Sequence, residues 1–181
     1  MVAQEFSGLE LQKEIKHMKK EIDLAEQQQA YQTFLQTQKT VMISSITAEG
    51  LPLISYAPYI LNEGKLYIYI SRISDHHASI QQSECIQAML IADEVHSPNL
   101  FARERLRFVC RPRLVEEHTH EVVFQQFEEK FKKPMIDLLR GLDFSLFELT
   151  PLEGRYVVGF GKAFDVNLLE NTISHVVIDK K

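Results

Sequence analysis

Three short apolar stretches follow one another from Thr40 to Ser71, separated only by Glu49-Gly50 and Asn62-Glu63-Gly64. Thr40–Ala48, Leu53–Leu61 and Lys65–Ser71 carry the Val, Ile, Thr and Tyr content of strands, and the glycine-bearing breaks between them are turn signals. Strands joined this tightly run antiparallel, because a parallel partner needs a crossover of a dozen or more residues. A βαβ architecture is therefore excluded for this half of the chain.

The strand pattern returns after an interruption. Asp75–Gln82 is predicted as a short helix, Cys85–Asp93 as an apolar strand, and Glu94–Glu104, with Ser97-Pro98-Asn99, as a loop with room for a helical turn. Leu106–Val115 is the most regular strand of all. Leu106, Phe108, Cys110 and Leu114 project to one face, and Arg105, Arg107, Arg111 and Arg113 to the other. Two helices follow, around His120–Phe131 and Pro134–Leu142, the second with proline suitably placed at a helix start. Phe144–Leu149 and Arg155–Gly159 are expected as the two arms of a hairpin around Pro151–Gly154, before a short strand, Ala163–Val166. The expectation is an α+β, mainly β protein built on a small antiparallel barrel.

Upstream of the barrel, Leu9–Gln38 contains no Gly or Pro. Leu11, Ile15, Met18, Ile22, Ala25 and Gln29 recur alternately every four and three residues, the seam of an amphipathic helix. Ser7 and Glu10 would form its capping box. Such a helix lies either on its own barrel or against a second subunit. The organisation expected is thus an N-terminal amphipathic helix (1–38), a barrel domain (39–166) and a polar C-terminal tail (167–181).

Charge narrows the function. With a net charge of −5 the chain is a poor candidate for a general nucleic-acid binder, whose expected footprint is a basic face. Cys85 and Cys110 form no CxxC pair, and both are expected as buried, reduced side chains. No basic-then-apolar leader and no membrane-length apolar run is visible, so a cytoplasmic protein without a membrane partner is expected. A GxGxxG turn, a Walker loop, an HExxH helix and a Gly-x-Ser-x-Gly elbow are all absent from the sequence. His118-x-His120 sits among Glu116, Glu117 and Glu121 and is expected as a solvated turn. One local feature stands against the acidic total: of eight arginines, five (Arg103, Arg105, Arg107, Arg111, Arg113) fall within eleven residues. Such a row is either an anion site, since guanidinium forks bind phosphate and carboxylate, or an outward face relieved by acidic neighbours.

Four motifs in order carry a resemblance. They are Ser55-Tyr56-Ala57-Pro58, Ser71 through His76, Phe101-Ala102-Arg103-Glu104-Arg105-Leu106, and Gly154-Arg155-Tyr156-Val157-Val158-Gly159-Phe160-Gly161-Lys162-Ala163. Together they resemble the HugZ/HutZ haem-utilisation proteins, a branch of the pyridoxamine 5′-phosphate oxidase-like FMN-binding split barrels. The resemblance runs from Tyr31 to Val166. It implies a six-stranded antiparallel split β-barrel forming a homodimer, with two equivalent small-molecule sites along the subunit interface. Flavin-binding members hold the FMN phosphate at the barrel rim, and Ser71, His76, Arg103 and Arg105 match those positions. Haem-utilisation members bind haem at the interface and serve in haem storage, delivery or oxidative ring opening. Their iron takes a histidine from the C-terminal tail, and a helix carboxylate of the other subunit hydrogen-bonds that histidine. The matching residues are His175 and Asp137. On this basis haem is the implied cofactor, FMN the alternative, and Arg103 and Arg105 the candidates for a propionate or phosphate. Arg107, Arg111 and Arg113 return to surface charge.

Overall fold

The computed structural model describes residues 22–159 and 161–177. Its first helix, α1 (Leu24–Thr37), starts where Asp23 takes an extended backbone and its carboxylate accepts from the Ala25 and Glu26 amides. That N-cap begins a helix at a point which the sequence spacing runs straight through. Leu11, Ile15, Met18 and the Ser7–Glu10 box lie outside the described residues. Of the predicted seam among the described residues, Ile22 packs on the barrel core while Ala25 and Gln29 are exposed; the helix's buried face is Tyr31, Phe34 and Leu35, which join that core.

Six strands close the barrel: β1 (Thr40–Ile46), β2 (Pro52–Asn62), β3 (Lys65–Ser71), β4 (Ile86–Ile91), β5 (Arg105–Val115) and β6 (Phe144–Gly159). Their order is β3-β2-β1-β4-β5-β6, with β6 pairing back onto β3, and every pair is antiparallel. Glu63 and Gly64 have φ of 49° and 73°, the positive values that a two-residue hairpin turn between twisted strands requires. Two further strands, β7 (Lys162–Asn167) and β8 (Thr172–His175), extend the sheet beyond β6. The segment expected as a polar tail therefore contributes a strand.

β6 is what splits the barrel. Phe144–Leu149 pairs with β3 along one edge; from Gly154 onward that edge belongs to β7, while β5 stays on the other edge throughout. Phe144–Gly159 is thus one 16-residue strand and not the expected hairpin. Pro151 pairs with Cys110 and Glu153 with Val109, which leaves Leu152 as the extra residue of a β-bulge. Gly154 is needed for close approach, not for turning. A Cβ there would stand 2.5 Å from Val166 Cγ2 and 2.7 Å from a Phe108 ring carbon.

The barrel interior is filled by Val41, Ile43, Tyr59, Ile68, Leu106, Phe108, Phe147, Tyr156 and Phe164, among others. The helix α2 (Asp75–Gln82) adds Ile80 to this core. The helices α3 (Glu121–Phe131) and α4 (Lys133–Arg140) build a second core with Ile60, Tyr67, Tyr69 and Leu146 through Phe124, Phe127 and Ile136. Both cysteines are free, but only Cys110 is buried; Cys85 is exposed just before β4, where its side chain has left the core. Leu114 departs from the predicted core face too and is exposed.

Candidate functional site

The outer face of the sheet can be followed across seven strands in a single row of paired residues. It runs Tyr56, Met42, Met89, Arg107, Arg155, Asp165 and Ser174, from β2 to β8. One half is apolar: Tyr56 and its strand neighbour Ile54 are each 69% exposed. The other half is charged. Arg155 Nε lies 2.8 Å from Asp165 Oδ1, whereas Arg107 has only Gln87 Oε1, at 3.5 Å, among the described residues. The charged half lines a groove of about 460 Å³, with Arg107, Glu153, Arg155, Asp165, Asn167 and Ser174 among its walls. Sequence reasoning left Arg107 with the surface charges. The groove arises from the bulge at Leu152 and from β8, and neither is visible in a strand alternation.

His175 ends β8, opposite Phe164, with the two rings 5.4 Å apart. Its Nε2 lies 3.1 Å from the Gly161 carbonyl oxygen. A carbonyl can only accept, so in this contact Nε2 is the donor. The Val176 amide donates to Ala163 O at 2.8 Å and anchors the strand just past the histidine. Alternation in Thr172-Ile173-Ser174-His175 was the legible signal. Ile173 packs on the core, and Thr172 and Ser174 line the groove.

The structure does not gather the other expected residues in one chain. Arg103 donates through Nε to Ala92 O and pairs with Glu94 at 2.9 Å; Arg105 donates to Arg103 O at 2.9 Å. Both guanidinium groups tie down the loop from Ala92 to Glu104, whose ends meet through the Ala92 amide and Glu104 O at 2.9 Å. Ser71 pairs with Phe144 at the start of β6, and Arg105 pairs with Val157 near its end. Ser71 and His76 therefore belong to one end of β6 and the two arginines to the other. His76 is half-buried on α2, and burial, then the neighbouring His77, lower its pKa against the opposing pull of Asp75. Asp137 stands exposed on α4, 3.0 Å from Lys133 Nζ, and no contact joins it to His175 within the chain. His118 and His120 lie at the short helical turn before α3, as expected; His120 Nδ1 is 2.9 Å from Glu116 O. Among the described residues no group of three His, Cys, Asp or Glu side chains could hold a bare metal ion. None of the described helices is long and apolar enough to cross a membrane.

A closed six-stranded antiparallel barrel opened along β6, with accessory strands extending its sheet, is the split-barrel fold. The chain belongs to the pyridoxamine 5′-phosphate oxidase family, whose model matches residues 27–158. It is 35% identical over 136 residues to the heme oxygenase HutZ of Vibrio cholerae, covering 74% of this chain and 77% of that protein. Among solved structures, ChuZ of Campylobacter jejuni superposes with a TM-score of 0.79 at 28% identity, covering 87% of this chain. The chain spans 65% of the length of ChuZ. A structure of V. cholerae HutZ, described as a haem storage protein, matches with a TM-score of 0.68 at 31% identity, over 77% of this chain and 99% of that one.

Proposed function

We propose that this chain binds haem in haem or iron utilisation, as a homodimer, with His175 as the iron ligand and the partner subunit's Asp137 hydrogen-bonded to it. The observation that carries the reading is the placement of His175: a partly exposed imidazole at the end of an anchored strand, held by one backbone carbonyl. A single imidazole cannot retain a bare metal ion, but it suffices for an iron already held by four porphyrin nitrogens. The groove on the other face of β8 holds charges of both signs, and Arg107, with no carboxylate partner among the described residues, is the guanidinium it offers to an anionic group such as a propionate. Ligation through Nε2 requires that nitrogen to release the Gly161 carbonyl and the proton to move to Nδ1. A carboxylate on Nδ1–H would then fix that tautomer and raise the basicity of the ligand. Since Asp137 and His175 are apart within one chain, the pair forms only between two copies. The exposed Tyr56, Ile54 and Met42 give the outer face an apolar half suited to such a contact. Bound haem would supply a redox-active iron, and the chain would supply the ligating His175 nitrogen and its orientation.

The likeness to relatives described as a heme oxygenase and a haem storage protein supports this reading. Whether the haem is stored, delivered or oxidatively opened belongs to the same proposal. FMN is the alternative on family grounds. Against it stands the engagement of Arg103 and Arg105 with loop carbonyls. Adding hemin or FMN to the purified protein separates the two. A Soret band that saturates with hemin, with the fluorescence of added FMN left unquenched by the protein, is expected; saturable flavin quenching without hemin binding would reverse the assignment.

A further inference from the structure

The turn between β7 and β8 is tied to the other end of the chain. Asn171, in that turn, takes a left-handed backbone with φ of 53°, a conformation asparagine adopts more readily than most side chains. Three residues of α1 converge on it. The Tyr31 hydroxyl donates to Asn171 Oδ1 at 2.9 Å, Gln32 Nε2 donates to the same oxygen, and Gln28 Nε2 donates to the Asn171 carbonyl at 2.7 Å. Tyr31 is fully buried, so its hydroxyl must find a partner within the protein, and Asn171 is that partner.

Beyond these hydrogen bonds, β8 is held by its ladder with β7, by Ile173 on the core and by the Val176 amide on Ala163 O. Among the described residues it is the edge strand of the sheet, four residues long and paired with β7 alone. Asn167 Oδ1 shapes the turn by accepting from the Leu169 and Glu170 amides, but it fastens the turn to nothing else. A short edge strand held along one side belongs to the parts of a protein that open most easily. His175, four positions after Asn171, is carried by this strand.

Resting on the haem reading above, we propose that Tyr31, Gln28, Gln32 and Asn171 form a latch by which α1 positions β8 and holds the His175 imidazole ready for the iron. The latch places the ordering cost of the ligand strand in the folding of the chain instead of in haem binding, which is how preorganisation raises affinity. It also couples the N-terminal helix to the iron ligand. These are positioning residues; none of them touches the ligand.

Two variants isolate the latch. Asn171→Gly keeps the positive φ, where glycine is unstrained, and removes the carboxamide. Tyr31→Phe keeps the ring in the core and removes one hydroxyl. In the ligand-free protein, amide exchange at β8, read at the Val176 amide that donates to Ala163 O, should quicken about tenfold in Asn171→Gly, the scale of one or two lost hydrogen bonds. Amides of β1 and β5 should stay as protected as in the parent. With hemin, dissociation should quicken about tenfold and the iron–histidine stretching band should weaken, less so in Tyr31→Phe. Unchanged β8 exchange overturns the latch, as does a uniform rise across all strands. Faster β8 exchange with hemin dissociation and the iron–histidine band unchanged overturns its link to His175. Failure of the haem reading looks different: His175→Ala would then bind hemin as the parent does, and the claim that the latch serves the ligand would fall with it.

Discussion

Glu148 is a buried carboxylate held by four side chains. It receives Lys65 Nζ at 3.1 Å, the Tyr67 hydroxyl at 2.9 Å, two nitrogens of Arg113 at 3.3 and 3.0 Å, and the Thr150 hydroxyl at 3.3 Å. Tyr67, Glu148 and Arg113 are register partners on β3, β6 and β5, so the cluster sits on the seam where the barrel closes. Burial alone would raise the Glu148 pKa; the hydrogen bonds from Arg113, Lys65 and Tyr67 outweigh it and hold the group at about 2. Because that value is depressed, the stabilisation is complete above the ordinary value of 4.5 and drains as pH falls toward 2. Glu148→Ala should cost about 2–3 kcal/mol at pH 7 in urea unfolding and flatten the acid limb between pH 4.5 and 2; an unchanged acid limb would rule out this role. His77 acts at milder pH. It is buried edge-on to Phe147, and its Nε2 has no partner among the described residues. Burial, then Arg72, lower its pKa against the pull of Asp143. The unfolded chain therefore takes the proton first, and stability is lost as pH drops below 6.5. Replacing His77 by Leu should narrow the difference in Tm between pH 7 and pH 5; a difference as wide as the parent's would assign that loss to other groups.

The strands were largely legible because two-residue periodicity and glycine turns are local signals. Lys65–Ser71 and Asp75–Gln82 agree with the structure end to end. The failures share a physical cause: a local signal serving a non-local need. Pro151 and Gly154 have turn chemistry, yet the first occupies a bulge and the second makes room for Phe108 and Val166. Gly154→Ala should cost about 2–3 kcal/mol, the price of forcing a methyl group into a filled core. Leu152→Ser, at the exposed bulge, should stay within about 0.5 kcal/mol. Equal denaturation midpoints for the two variants would argue against the close approach. Between α3 and α4, Lys132 holds φ of 79° with ψ of 132°, a conformation costly for any residue with a Cβ. Lys132→Gly should therefore raise stability by about 1 kcal/mol in urea unfolding; a loss instead would show that the lysine side chain outweighs the strain.

For the molecule as a whole, the arginine row resolves into separate tasks that composition could not distinguish. Arg103 and Arg105 fasten a loop, Arg113 closes the barrel seam, and Arg107 faces the groove. The fold was readable because each strand announces itself. The proposed site was less so, because it draws on a bulge, an added strand and, in the proposal, a second copy of the chain. The apolar half of the outer face belongs to that last requirement. Tyr56→Arg or Met42→Asp should shift sedimentation from dimer toward monomer, and a parent protein that sediments as a monomer would remove the dimer from the proposal. The central claim rests on one imidazole. Titrating hemin into the parent and into His175→Ala, followed at the Soret band, tests it most directly. The parent should saturate at one haem per chain, and His175→Ala should lose the histidine-ligated spectrum and bind at least about tenfold more weakly. A variant with the parent's spectrum and affinity would contradict the assignment of His175 as the ligand.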